Sequence, residues 1–153
     1  GDIITYRIVL IQEQTGCVAR NVTLQDVIDT QGVRLLKDSV ILMDEKGNVA
    51  DADVQINDDN TFLMSTGRTL VRDSRYSICD NDKGGLFEQV MYNPLDCQEQ
   101  KSMIVEYQAA VIDAALAGQK VHNTAVADSS EKIPATGEAE TEVHRPVRKD
   151  TIN

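Results

Sequence analysis

Apolar and polar residues alternate with a period of two along most of this chain, and this alternation restricts the possible fold more than any other feature. In residues 2–12, Ile4, Tyr6, Ile8 and Leu10 fall on one face of an extended chain. Further segments of the same kind lie between turn-forming residues, at 17–29, 38–49, 61–65, 74–79, 86–92, 102–112, 120–128 and 137–144. This periodicity is that of a β-strand with one buried face. The chain is therefore predicted to be all-β.

The length and composition of the chain favour a single β domain. Its 153 residues, of which 41% are hydrophobic, suffice for one domain with one core. There is no tryptophan and there are only two phenylalanines, so the core must consist largely of valine, isoleucine and leucine, which favours strands. Residues 113–119 offer the only plausible helical turn. Many short alternating strands in one domain indicate an antiparallel β-sandwich, in which each sheet has one buried and one solvated face.

Charge and motifs exclude several classes of function. The net charge is −10, with no cluster of lysine or arginine, so nucleic acid is not an expected partner. No apolar run approaches the roughly 20 residues of a membrane span. The sequence has no glycine-rich phosphate loop, no paired Cys/His spacing and no recognisable Ser/His/acid arrangement, so we expect no cofactor, no zinc site and no hydrolase.

Acidic residues concentrate in two segments, 51–59 and 79–85, and the second has part of a calcium-loop pattern. Asp80 and Asp82 precede two glycines, but Met91 stands where the bidentate glutamate of the loop is required. Solvated acidic loops, and no metal site, are therefore the prediction for both segments.

The three cysteines are Cys17, Cys79 and Cys97. An odd number argues against a full disulfide framework, although Cys79 and Cys97 flank one loop-rich stretch and are candidates for a bridge in an oxidising compartment. The alternative is that all three are thiols packed as small hydrophobic residues. The sequence leaves both open.

Two polar residues fall in phase with the predicted core. Asp26 follows Val22 and Leu24 on one face of its strand, and Asn123 lies between Val121 and Ala125 on another. A buried carboxylate or amide without a hydrogen-bond partner costs several kcal/mol. Either the two side chains bond to each other, or the strands are wrongly phased, or the residues have a chemical function.

A family resemblance gives a reason for these two residues. The segments GDIITYRIVL (1–10), VTLQDVID (22–29), HNTAVAD (122–128) and GEAETEV (137–143) resemble, in order and spacing, the CnaA-like isopeptide-forming immunoglobulin-type domains of pilins and adhesins of Gram-positive bacteria. The match covers residues 2 to about 147. Each segment alone is a weak signal, and the ordered set is moderately specific. The resemblance implies an immunoglobulin-like β-sandwich.

In that family a lysine amine on the first strand attacks an asparagine side chain on a late strand, ammonia leaves, and a buried acid assists. Carried over by motif position, the resemblance implies that Asn123 is the acceptor amide and Asp26 the assisting acid. Burial suits this chemistry, because it lowers the pKa of lysine and raises that of the acid. The domain would form one bond in itself without turnover, so it is not expected to be an enzyme.

The sequence departs from the family pattern in the position of the nucleophilic lysine. No lysine strand precedes Asp2, but Val147, Lys149 and Thr151 alternate as that strand would. We therefore interpret 2–146 as the sandwich, lacking its own first strand, and 147–153 as the start of the next repeat or a tail. Lys149 is then the donor for the next repeat, and the terminal strand could fill an exposed sheet edge in its own or another molecule.

The resemblance implies a structural domain, in the stalk of an adhesin or the shaft of a pilus, that is extracellular and attached to the bacterial cell wall. Its partners would be neighbouring repeats of the same polypeptide. The alternative is a ligand-binding adhesin module, in which the long irregular region 44–100 contacts a host protein or glycan, since long connections tend to carry function. This region has few aromatic residues, which disfavours a glycan.

Overall fold

The computed structural model describes residues 2–13, 18–28, 32–57, 60–72, 77–84, 89–92, 99–112 and 118–142, and for 77–80, 89–92 and 140–142 it describes the backbone alone. The strands are β1 (Ile3–Ile11), β2 (Val18–Ala19), β3 (Thr23–Ile28), β4 (Val33–Leu35), β5 (Ile41–Met43), β6 (Val49–Ala50), β7 (Asp53–Ile56), β8 (Thr61–Ser65), β9 (Thr69–Val71), β10 (Ser77–Asp80), β11 (Gln89–Tyr92), β12 (Glu99–Gln100), β13 (Ser102–Val111), β14 (Lys120–Asp128) and β15 (Ala135–Glu142). The helical content of the described part is one 3₁₀ turn, Lys37–Ser39.

Two five-stranded antiparallel sheets form the domain. The front sheet has the order β1-β13-β5-β6, with β4 also paired to β13. The back sheet has the order β15-β14-β3-β8-β7. Within the described residues, β1 and β15 each have a neighbouring strand on one side only, so each is the edge of its sheet.

Smaller pairings complete the fold. Strands β12, β9 and β2 form a three-stranded sheet in which β12 and β9 are parallel. Strands β10 and β11 form a separate hairpin. After β10, the ammonium of Lys83 contacts a carboxylate oxygen of Asp128 and the carbonyl of Ser129, and Lys132 lies 3.6 Å from Asp82. These contacts attach the hairpin to the loop that follows β14.

The alternation read from the sequence matches the burial of the strands. Every second residue of β13 is buried, from Met103 to Val111, and the residues between them are half-buried. The side chains of Leu24 and Phe62 from the back sheet are fully or almost fully buried in the same core. The predicted all-β antiparallel sandwich is therefore confirmed.

Sequence periodicity missed several short strands. Strands β4 and β9 have three residues each and β12 has two, which is too few for alternation to be recognised. Strand β7 lies in a polar stretch that we interpreted as a connection. The predicted helical turn at 113–119 falls largely outside the described residues.

Candidate functional site

Asp26 and Asn123 lie on the inner face of the back sheet, on adjacent strands. In the pairing of β14 with β3, Ala125 is opposite Asp26 and Asn123 is opposite Ile28. The two polar residues are therefore diagonal neighbours on one face, a spacing at which side chains interact. Asp26 is 0% exposed and Asn123 is 4% exposed. The sequence predicted that both side chains face the core, and this is confirmed.

Tyr107 of the front sheet bridges the two residues. Its hydroxyl donates a hydrogen bond to Oδ2 of Asp26 and accepts one from the amide Nδ2 of Asn123. A phenol has a single proton to donate, so the bond to Asp26 requires that Asn123 be the donor in the second bond. We call these three residues the Asp26–Tyr107–Asn123 cluster. The hydroxyl of Tyr107 thus joins the carboxyl group of Asp26 to the amide of Asn123.

Two aromatic rings hold Tyr107 in place. Tyr6 lies directly opposite Tyr107 in the pairing of β1 with β13, and the two rings stack with centroids 5.2 Å apart. Phe62, opposite Asp26 in the back sheet, meets the ring of Tyr107 edge-on at 4.9 Å. Offset stacks and edge-to-face contacts are the favoured geometries of aromatic pairs. The hydroxyl is thus directed between the two polar side chains by packing on both sides.

Burial governs the protonation of the cluster. Loss of solvation raises the pKa of Asp26 to about 6, although the hydrogen bonds from Tyr107 and Asn123 lower it. Burial, followed by the nearby negative charge of Asp26, raises the pKa of Tyr107 far above its ordinary value. Tyr107 therefore remains a proton donor at all physiological pH values, whereas Asp26 changes charge close to neutrality.

Two acceptor atoms of the cluster have no hydrogen-bond partner. Oδ1 of Asp26 and Oδ1 of Asn123 are buried and unpaired. Unpaired buried oxygens carry a desolvation cost of roughly 1–3 kcal/mol each, and such atoms in a native structure call for an explanation. The cluster is able to accept at least one more donor, such as an amine.

No lysine among the described residues supplies that donor. Five described lysines are exposed, namely Lys37, Lys46, Lys83, Lys101 and Lys120, and Lys132 is half-buried beside Asp82. Lys149, the donor expected from the sequence for the next repeat, lies outside the described residues. Its role stays a prediction.

The remaining candidates from the sequence are only partly placed. Cys79 belongs to β10, where it pairs with Val90, and Cys97 lies outside the described residues, so the bridge stays a prediction.

Within the described part of the chain, no group of three or more histidine, cysteine or acidic residues is positioned to hold a metal ion. Nor does this part contain a helix long and apolar enough to cross a membrane.

Sequence reasoning missed the bridging position of Tyr107 and the burial of Glu131. The alternation along 102–112 places Tyr107 in phase with Val105 and Ala109, and a buried tyrosine hydroxyl usually finds a polar partner, so a signal is present in the sequence. Glu131 is 0% exposed although it lies in the polar loop after β14. Its Oε1 accepts bonds from the backbone and from Nε of Arg20, both at 2.9 Å. No periodicity marks a buried residue in such a loop.

The comparisons with known proteins identify a fold. No protein-family model matches the sequence, and no curated protein is similar to it at a significant level. Solved structures do match. The collagen-binding subdomain ACE19 of the Enterococcus faecalis surface protein ACE has a TM-score of 0.51 at 11% identity, covering 95% of this chain and 89% of that chain. The collagen-binding domain of a Staphylococcus aureus adhesin has a TM-score of 0.51 at 12% identity, covering 94% and 88%.

A longer structure of ACE, described as binding its ligands by the collagen hug model, has a TM-score of 0.51 at 11% identity, covering 93% of this chain and 46% of that chain. At such identities the likeness establishes the fold. The predicted immunoglobulin-like β-sandwich is confirmed, and so, at the level of the fold, is the resemblance to domains of Gram-positive surface adhesins.

Replacing Tyr107 by phenylalanine should destabilise the domain by about 2–4 kcal/mol, because Asp26 and Asn123 both lose their bond to the hydroxyl. Urea unfolding measures the loss. In an Asp26→Leu background the same replacement should cost at least about 1 kcal/mol less, because the hydroxyl has already lost its acceptor. Equal costs in both backgrounds would contradict the bridging role.

Stability should depend on pH through Asp26. Its pKa of about 6 in the folded domain lies above the value of 3.8 for a free side chain, so the folded state binds more protons in this window. Stability from this group is complete below pH 4 and is lost as the pH rises through 6, by about 3 kcal/mol. The stability difference between the natural protein and Asp26→Asn should therefore change by most of this amount, about 2–3 kcal/mol, between pH 4 and pH 7. A difference independent of pH would refute the assignment.

Proposed function

We propose that this chain is a structural domain of a bacterial cell-surface protein, from an adhesin stalk or pilus shaft, whose Asp26–Tyr107–Asn123 cluster is the site of an isopeptide cross-link. The observation that carries the proposal is the pair of buried, unpaired oxygens on Asp26 and Asn123. The likeness of the fold to adhesin domains supports the surface location. The domain would act extracellularly, attached to the cell wall, with neighbouring repeats as its partners.

The chemistry follows from the positions of the side chains. A neutral lysine amine attacks the side-chain carbonyl carbon of Asn123, the Nζ–Cγ bond forms, and the Cγ–Nδ2 bond breaks to release ammonia. Asp26 accepts a proton from the attacking nitrogen and passes it to the leaving nitrogen, so its own protonation is unchanged at the end. An acid with a pKa of about 6 is well matched to proton transfer in both directions near neutral pH.

Tyr107 would orient the amide in this reaction. Because Nδ2 of Asn123 donates to the hydroxyl, the carbonyl oxygen of the same amide is turned away from Tyr107. Once Asp26 has taken the proton from the attacking nitrogen, its carboxyl group would be able to donate to that oxygen and stabilise the negative charge there, before the proton passes to the leaving nitrogen. The acceptor is held in one orientation before the lysine arrives.

The donor in this proposal is Lys149, acting on the following repeat. The product would link a strand entering the domain to the penultimate strand of its back sheet, so that tension would pass through a covalent bond. Such a cross-link also restricts the unfolded chain as a disulfide does, which stabilises by about 2–4 kcal/mol. The domain forms the bond once, in itself, and is not an enzyme.

Two copies of the chain joined head to tail test the cross-link. Lys149 of the first copy then precedes the second copy, and the intact mass under denaturing conditions should fall short of the sequence mass by one ammonia. Asn123→Ala in the second copy should abolish the deficit, and the same substitution in the first copy should not. Full mass in the unaltered tandem protein would contradict the cross-link and the role of Lys149.

A second candidate function is ligand binding by the region 44–100. The specific observation is that the β10–β11 hairpin in this region stands outside both main sheets, in a fold shared with collagen-binding domains of adhesins. A host extracellular-matrix protein such as collagen is the ligand that this likeness suggests.

Binding of the chain to immobilised triple-helical collagen tests this function. A variant in which residues 77–92 are replaced by a short Gly-Asn turn should bind at least tenfold more weakly, because the hairpin is removed while the two main sheets are retained. Heat-denatured collagen is the control surface. Equal binding by both proteins, or no binding by either, would exclude the hairpin as a collagen-recognition surface.

A further inference from the structure

An open cleft of about 550 Å³ runs between the edges of the two sheets. Its walls are the second half of β1 with the residues that follow, the start of β15, and the loop between β14 and β15. Consecutive residues from Ile8 to Glu13 line it, so it follows the backbone edge of β1 as well as the side chains of one face. It is several times larger than the roughly 150 Å³ cavity that holds a benzene molecule.

The cleft exists because one corner of the back sheet lacks side-chain volume. Ala125 is paired with Gly137, and Ala127 is paired with Ala135, so the two strands present small residues to the cleft. Because the cleft is open, apolar side chains on its walls, namely Val9, Ile11 and Ile133, are exposed to water, and burying them would be favourable. Side chains from another segment would fill it.

Strand β1 has the properties of a strand that requires a second neighbour. It is nine residues long, and on its outward face Ile3, Val9 and Ile11 are all more than half exposed. Its inward face is apolar as well. Thr5 and Arg7 interrupt the outward face, but the half of the strand beside the cleft is apolar on both faces, and such an edge pairs readily with a further strand unless it is protected. The cleft and the edge of β1 together form a groove for an added strand.

Residues 147–153 have the pattern and charge to occupy this groove. Val147, Lys149 and Thr151 alternate as a strand would, and seven extended residues span about 23 Å, comparable with the six consecutive residues, Ile8–Ile11 of β1 and the two that follow, that line the cleft. Residues 147–153 carry Arg148 and Lys149 against Asp150, a net charge of about +1, in a chain of net charge −10. They would lie beside β15, whose sequence contains three glutamates, and close to Glu13.

A second copy of the chain supplies this segment more readily than the same copy. Strand β15 ends at Glu142, which pairs with Lys120 at the end of β14 remote from Gly137. If residues 143–146 reversed the chain, 147 would stand opposite 142, and only the last few residues would reach the cleft. The same segment of another molecule can lie along the whole groove.

We propose that the cleft between β1 and β15 is a docking groove for residues 147–153 of a second copy of this chain, which adds there as a strand. The contact joins two different surfaces, so it is heterologous and extends head to tail rather than closing as a symmetric dimer. It requires no covalent bond, and Lys149→Arg should dock as the natural chain does. The docking proposal can therefore be disproved without disproving the cross-link, and the cross-link without disproving docking.

Gly137 offers a way to block the groove. A Cβ added there meets no atom within 4 Å, and Gly137 pairs with Ala125 on the inner face, so Gly137→Leu directs a side chain into the cleft. Glu138→Leu is the matched control, because the neighbouring residue in a strand points to the opposite face. The full-length chain and both variants are compared by sedimentation over a range of concentrations, together with hydrogen exchange of residues 147–153.

The natural chain and Glu138→Leu should form species larger than a monomer as concentration rises, with residues 147–153 protected from exchange. Gly137→Leu should associate at least tenfold more weakly and lose that protection. Association that survives in Gly137→Leu would place the contact elsewhere and overturn the proposal. If the chain stays monomeric and residues 147–153 are protected, its own segment fills the groove. If it stays monomeric and these residues are not protected, the groove does not bind the segment. Either result also overturns the proposal.

Discussion

The hydroxyl of Tyr107 is the interaction on which the interior of this sandwich depends. It provides one donor and one acceptor, and these pair Oδ2 of Asp26 and the amide nitrogen of Asn123 in an interior that offers no water. Without it, a buried carboxylate and a buried amide would each lose the bond that the hydroxyl provides, at a cost comparable to a large part of a small domain's total stability. The stacked ring of Tyr6 and the edge of Phe62 keep the hydroxyl in position.

The alternation of residues was sufficient to predict the long strands and the inner faces of the sheets. Asp26 and Asn123 could be assigned to the core because a period of two fixes the face of every residue once one is known. Their adjacency could not be derived, because it depends on which strands pair, and β3 and β14 are far apart in the sequence. The bridging residue comes from the opposite sheet, a relation that no local pattern encodes.

The short strands and the buried loop residue could not be predicted from the sequence either. Strand β4 is too brief to show a period, and Glu131 becomes buried only because Arg20 from a distant segment supplies both of its bonds. Tertiary contacts decide such cases. The family resemblance supplied what periodicity lacked, namely a chemical reason for an amide and an acid on inner faces, and the solved structures confirm the fold that this resemblance implies.

The cluster also determines which alignment of the strands is tolerated during folding. If β14 slipped by one residue against β3, Asn123 would turn to the solvent, His122 would enter the core, and Asp26 and Tyr107 would be left with one partner fewer. A slip of two residues keeps the same faces buried, and an all-aliphatic interior would tolerate it more readily than this one, where it would move Asn123 away from Tyr107. A polar contact that has one satisfied geometry makes the misaligned alternatives costly, so the cluster selects the native register even before any covalent bond is considered.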